Sequence, residues 1–85
     1  SNSSIELVEA VKKNMLNYFA SFGNQLPPPE LYERVLAEIE PPLLRAALTA
    51  THGNQLKAAD LLGINRNTLR SKLRERKIVA MRGLI

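Results

Sequence analysis

A chain of 85 residues, 24% charged and 45% hydrophobic, has the composition of a small soluble globular domain and falls outside the disordered and membrane-spanning classes. It has no cysteine, which excludes disulfides, thiolate metal sites and cysteine nucleophiles and fits a reducing compartment. Its net charge of +4 is unevenly spread: residues 1–51 carry four basic and six acidic side chains, residues 52–85 eight basic and two acidic.

The opening "SNSS" (residues 1–4) is polar, suits a linker or a cloning remnant, and is assigned no structural role. From Ile5 to Phe22 the residues Val8, Val11, Met15, Tyr18, Phe19 and Phe22 recur every three or four positions, which predicts a helix with a wide apolar face. "GNQLPPPE" ends it, because Gly23 and Asn24 accept left-handed angles and Pro27 to Pro29 enforce an extended connection. A second helix is expected from Pro29 in its first turn, with Glu30 and Glu33 near the positive end of its dipole. It carries Leu31, Val35, Leu36, Ile39, Leu43, Leu44, Ala47 and Leu48 on one side. Pro41 and Pro42 fall in its middle, so a break competes with a kinked but continuous helix. The apolar stripe resumes in phase beyond them, which favours the kink.

Thr51, His52 and Gly53 close that helix, with Gly53 as the expected left-handed cap. Asn54 is placed to cap a short third helix, Gln55 to Leu62, whose Ala58, Ala59 and Leu62 point inward. Gly63 permits a sharp turn, Ile64 plugs the corner, and Asn65 caps a fourth helix from Arg66 that is anchored by Leu69 and Leu73. Two helices joined through a glycine over three or four residues describe a helix-turn-helix. With the leucines inward, Arg66, Asn67, Arg70, Lys72 and Arg74 face outward, and no acid intervenes between Asp60 and Glu75. Arginine can grip guanine O6 and N7, asparagine can pair with adenine, and lysine can hold a phosphate. A basic third on a near-neutral support is the layout of a domain that meets polyanions; the plainer alternative is a solvated charged face.

Other classes find little support. His52 is the single histidine, no phosphate-binding glycine loop is present, and Glu30, Glu33, Glu38 and Glu40 suit a solvated helix face, so neither catalysis nor a cofactor or metal is expected. The apolar runs are far short of the ~20 residues that cross a bilayer, and no secretory signal is visible, so the expected place is the cytoplasm with no membrane partner. A domain this small is marginal alone, which makes a second chain over its apolar face reasonable.

The segment "LYERVLAEIEPPLLRAALTATHGNQLKAADLLGINRNTLRSKLRERK" resembles the Fis-family helix-turn-helix, most of all the C-terminal DNA-binding domain of NtrC-type response regulators. "GNQ", "AADLLGINRNTLR" and "LYERVLAE" carry the resemblance, over roughly residues 8 to 78. It implies an all-α, four-helix protomer, with a dimerisation region over 5–51, a helix-turn-helix over 54–77 and a tail over 78–85. The first two helices would intertwine with a second copy through Val8, Val11, Met15, Phe19, Phe22, Leu36, Ile39 and Leu43. The homodimer would place two helix-turn-helix units in successive major grooves of bent, double-stranded DNA at a loosely palindromic enhancer site. Pro42 matches a mid-helix proline of the family. Asn54, Asn65, Arg66, Thr68 and Arg70 match DNA-contacting positions; with Gln55, Lys57, Asn67, Lys72 and Arg74 they complete the expected contact set. Ser71 replaces a basic residue of Fis itself, and Leu56 a polar one. Contact with RNA polymerase carrying the nitrogen-type sigma factor would belong to domains outside these residues. A stand-alone, DNA-bending Fis-like nucleoid protein and a pure dimerisation module are the alternatives.

Overall fold

The computed structural model describes residues 2–79, with side chains from Ile5 onward. Among these residues the secondary structure is wholly helical: α1 (Asn2–Ala20), α2 (Leu31–Ala50), α3 (Gln55–Leu62) and α4 (Arg66–Glu75). The chain divides into two compact units, Ser1–Leu31 and Tyr32–Ile85. Met81 and Leu84 of the tail lie outside the described residues.

In the first unit, α1 begins three residues before the expected Ile5, taking in part of the polar opening, and gives way to a turn after Ala20. The Ser21 hydroxyl donates to the Tyr18 carbonyl at 2.6 Å, and Gly23 adopts φ 62°. The rings of Tyr18 and Phe22, one helical turn apart, meet edge to face with centroids 5.2 Å apart. Val11, Met15, Tyr18 and Phe22 are half-buried, whereas Ile5, Leu7, Val8 and Leu16 are more than 60% exposed.

In the second unit, α2 runs unbroken through Pro41 and Pro42, as the phase of its apolar stripe indicated. Each proline withholds an N–H from the carbonyl four residues back. Those carbonyls belong to Ala37 and Glu38, both exposed, where solvent can take the freed acceptors. The start of α2 differs from expectation. Glu30 turns the chain with φ 63°, a left-handed angle that no helix begun at Pro29 could contain, so Pro29 and Glu30 stay outside and Glu33 alone is acidic in the first turn.

The core of this unit joins three helices: Leu44, Ala47 and Leu48 from α2, Ala58 and Ala59 from α3, and Leu69 and Leu73 from α4, with Leu62, Ile64 and Ile78 packed at its edge. The paired alanines let neighbouring helices approach closely. All three helices end alike. The N–H groups of Gly53, Ile64 and Ile78 reach back to the carbonyls of Leu48, Ala59 and Leu73 at 2.8, 3.0 and 2.8 Å. The left-handed residue just before each is His52 (φ 54°), Gly63 (φ 75°) or Lys77 (φ 58°). His52 thus takes the capping position expected of Gly53, which follows it with its own positive φ of 79°. At Gly63 an added Cβ would meet nothing within 4 Å, so Gly63→Ala should cost only the left-handed backbone penalty of roughly 1–2 kcal/mol. A urea titration should show a lower midpoint with an unchanged slope; no loss of stability would contradict the cap.

Candidate nucleic-acid interface

Residues 53–70 assemble a polar, cationic concavity from two helix starts. Asn54 caps α3, its side-chain oxygen accepting from the Lys57 N–H at 3.0 Å, and Asn65 caps α4, accepting from the Asn67 N–H at 2.7 Å. The αL turn at Gly63 brings the two starts together. Gly53, Asn54, Gln55, Leu56, Arg66 and Arg70 line an open groove of about 390 Å³. A smaller hollow of about 200 Å³ continues beside it, formed by Gln55, Arg70, Leu73, Arg74 and Ile78. Gln55 and Arg70 belong to both.

The orientation of α4 follows from its two leucines. Leu69 is 0% and Leu73 4% exposed, so the helix is pinned at one-turn spacing against the core. At about 100° per residue, Arg66, Arg70 and Arg74 then form a single row along the exposed side. All three are exposed, as are Asn65, Asn67, Thr68 and Lys57. Among the described residues none of Arg66, Arg70, Arg74 or Lys57 forms an ion pair. Uncompensated guanidinium groups on a rigid support are suited to polyanion binding. Of the ten expected contact residues, Asn54, Gln55, Arg66, Arg70 and Arg74 line the two hollows, while Lys57, Asn65, Asn67 and Thr68 lie on exposed surface outside the lining.

Lys72 behaves differently. It lies across the Leu69–Leu73 seam from the arginine row and turns to α2, its Nζ 3.1 Å from Glu40 Oε2. Arg76, which the sequence reading did not single out, joins it: Nε is 3.0 Å from Glu40 Oε1 and Nη1 2.8 Å from Glu33 Oε2. The Arg76 side chain is only 8% exposed and that of Glu40 16%. Glu33 and Glu40, expected on a solvated face, are instead partners in a network between α2 and the end of α4. Burial pushes the Glu40 carboxyl upward, but the hydrogen bonds from Lys72 and Arg76 and their charges outweigh it, holding it below its ordinary value of 4.5. Hydrogen bonds to Glu33 and Glu40 hold the Arg76 guanidinium above its ordinary range against desolvation. The signal present in the sequence was the seven-residue spacing of the glutamates and the four-residue spacing of the cations, each of which stacks its pair on one helix face.

Among the described residues no group of three or more His, Cys, Asp or Glu side chains is placed to hold a metal ion, and no helix is long and apolar enough to cross a membrane.

Residues 35–75 match the family described as bacterial regulatory protein, Fis family. The chain is similar to three curated proteins, each named DNA-binding transcriptional regulator NtrC. It is 66% identical over 74 residues to that of Rhizobium meliloti (strain 1021), covering 87% of this chain and 15% of the relative. It is 58% identical over 73 residues to that of Bradyrhizobium sp. (strain RP501 Parasponia), covering 86% and 15%. It is 51% identical over 78 residues to that of Azospirillum brasilense, covering 92% and 16%. These relatives are named as regulators, not enzymes, and the aligned part of this chain spans about one-sixth of their length.

Proposed function

Because residues 35–75 belong to the Fis family of bacterial regulatory proteins, we propose that this chain is the sequence-specific DNA-binding domain of an NtrC-type transcriptional regulator. The observation that carries the reading is the outward row Arg66, Arg70 and Arg74, backed by buried Leu69 and Leu73 and opening onto the groove with Asn54 and Gln55. In this reading α4 enters the major groove, Arg66, Asn67 and Arg70 address base edges, and Lys57, Thr68 and Arg74 with the capped helix starts hold phosphates. Asn54 and Asn65 serve as caps first; either can also contact the DNA backbone through its amide.

The domain acts as a homodimer. In the first unit Val8 at 62% and Phe19 at 41% exposure, with half-buried Val11, Met15 and Phe22, leave apolar side chains for a second copy to cover; in the second, Ile39 at 39% and Leu43 at 54%, with Leu36, do the same. Two-fold symmetry then asks for two half-sites in palindromic arrangement. Partnership with the polymerase carrying the nitrogen-type sigma factor, and a cytoplasmic setting, follow for the whole regulator from its NtrC-like character.

A duplex titration at several salt concentrations tests the reading. Neutralising phosphates makes log affinity fall with log salt by about 0.9 per contact. Affinity should therefore fall steeply as salt rises, and absence of binding at low salt would refute the proposal. Arg70, shared by both hollows, is the most informative side chain. If it reads a guanine, Arg70→Ala should cost roughly 1–3 kcal/mol and relax preference at one base pair. Uniform weakening across sequences would assign it to a phosphate instead.

A further inference from the structure

The glutamates of α2 bear on the same helix that the proposed function uses. Along the core side of α2, Leu44 gives way one turn earlier to Glu40, and two turns before that to Glu33. Where the end of α4 passes this stretch, apolar packing is replaced by three ion pairs of 2.8–3.1 Å. Two of the five basic side chains from Arg66 to Arg76, Lys72 and Arg76, are thereby drawn away from the arginine row, while the other three form no ion pair among the described residues.

Resting on the DNA-binding reading, we infer that Glu40, assisted by Glu33, withholds Lys72 and Arg76 from the phosphate backbone, confining the cationic contacts of α4 with DNA to Arg66, Arg70 and Arg74. Non-specific affinity is set by the number of phosphates neutralised, whereas discrimination comes from base edges. Occupying two cations internally therefore lowers binding to arbitrary sequence without removing any base-reading side chain. Glu40 is a positioning residue for α4 and, through the cations that it occupies, a determinant of specificity.

The glutamates differ in what their loss releases. Lys72 pairs with Glu40, whereas Arg76 pairs with both Glu40 and Glu33. Neutralising Glu40 frees Lys72 but leaves Arg76 a partner; neutralising both glutamates frees both cations.

The experiment uses the 85-residue chain and a mixed-sequence synthetic duplex, with affinity followed from low to moderate salt and expressed per bound protomer. Glu40→Gln should steepen the slope of log affinity against log salt by about 0.9, and Glu33→Gln with Glu40→Gln by about 1.8. At 0.1 M salt the single change corresponds to roughly eightfold tighter binding to arbitrary sequence by the same relation. Lys72→Gln, which removes a partly exposed side chain, should leave the slope of the otherwise unaltered protein unchanged, whereas Arg74→Gln should flatten it by about 0.9. An unchanged slope in Glu40→Gln, or a flattening in Lys72→Gln equal to that in Arg74→Gln, overturns the inference while the DNA-binding reading stands. Failure of the unaltered chain to bind removes both.

Discussion

Leu69→Ala should lower the stability of the second unit by roughly 3–5 kcal/mol, the upper part of the range for removing a fully enclosed leucine. Leu69 is the largest side chain with essentially no exposure, and it lies in the cluster formed by α2, α3 and α4. Truncation removes its transfer free energy and opens a cavity that the neighbouring alanines are too small to fill. Domains have only about 5–15 kcal/mol of stability in total, so this single change would remove a large fraction of it. DNA binding would fall in parallel, because α4 owes its orientation to this anchor and to Leu73. Leu61→Ala is the matched control: Leu61 is 63% exposed, and its loss should stay within about 0.5 kcal/mol. Denaturant titrations of the two variants side by side decide the matter, and equal midpoints would mean that α4 is not held as described.

The second large effect is expected on α1. Met15→Glu places a carboxylate in the middle of the stripe formed by Val8, Val11, Phe19 and Phe22. An unpaired charge taken from water into an apolar seam costs several kcal/mol, enough to dissociate a dimer of ordinary affinity. Sedimentation should show the mass of a single chain at concentrations where the unaltered protein has twice that mass. Lys13→Glu, on the opposite side of α1 by its helical angle, should leave the assembly intact. If Met15→Glu sediments like the unaltered chain, the stripe is not the dimer seam. A lone helix of 19 residues is marginal in water, so the same variant should also lose helical signal from α1 as it dissociates.

The apolar spacing in the sequence was sufficient for the four helices, because a period near 3.6 survives whatever the helix packs against. It also settled the passage through Pro41 and Pro42, where the stripe stays in phase and α2 continues. Boundaries were less legible. At Glu30 and His52 the backbone takes left-handed angles that local propensity assigns more readily to glycine or asparagine, so the start of α2 and the identity of its cap shifted by one or two positions.

The inward leucines and outward arginines of α4 were determined by the sequence alone, since a helix that buries Leu69 and Leu73 must expose Arg66, Arg70 and Arg74. The fate of Lys72 and Arg76 was not. Lys72 sits in the stretch without acids between Asp60 and Glu75 and Arg76 directly follows it, and in the linear chain both look as available as their neighbours. Their partners, Glu40 and Glu33, are 32 and 43 residues away and meet them only when α2 and α4 pack on the same core. Coulombic interaction depends on distance in space, so the charge pattern of one helix identifies a surface, while the tertiary structure decides which of its charges remain free to act.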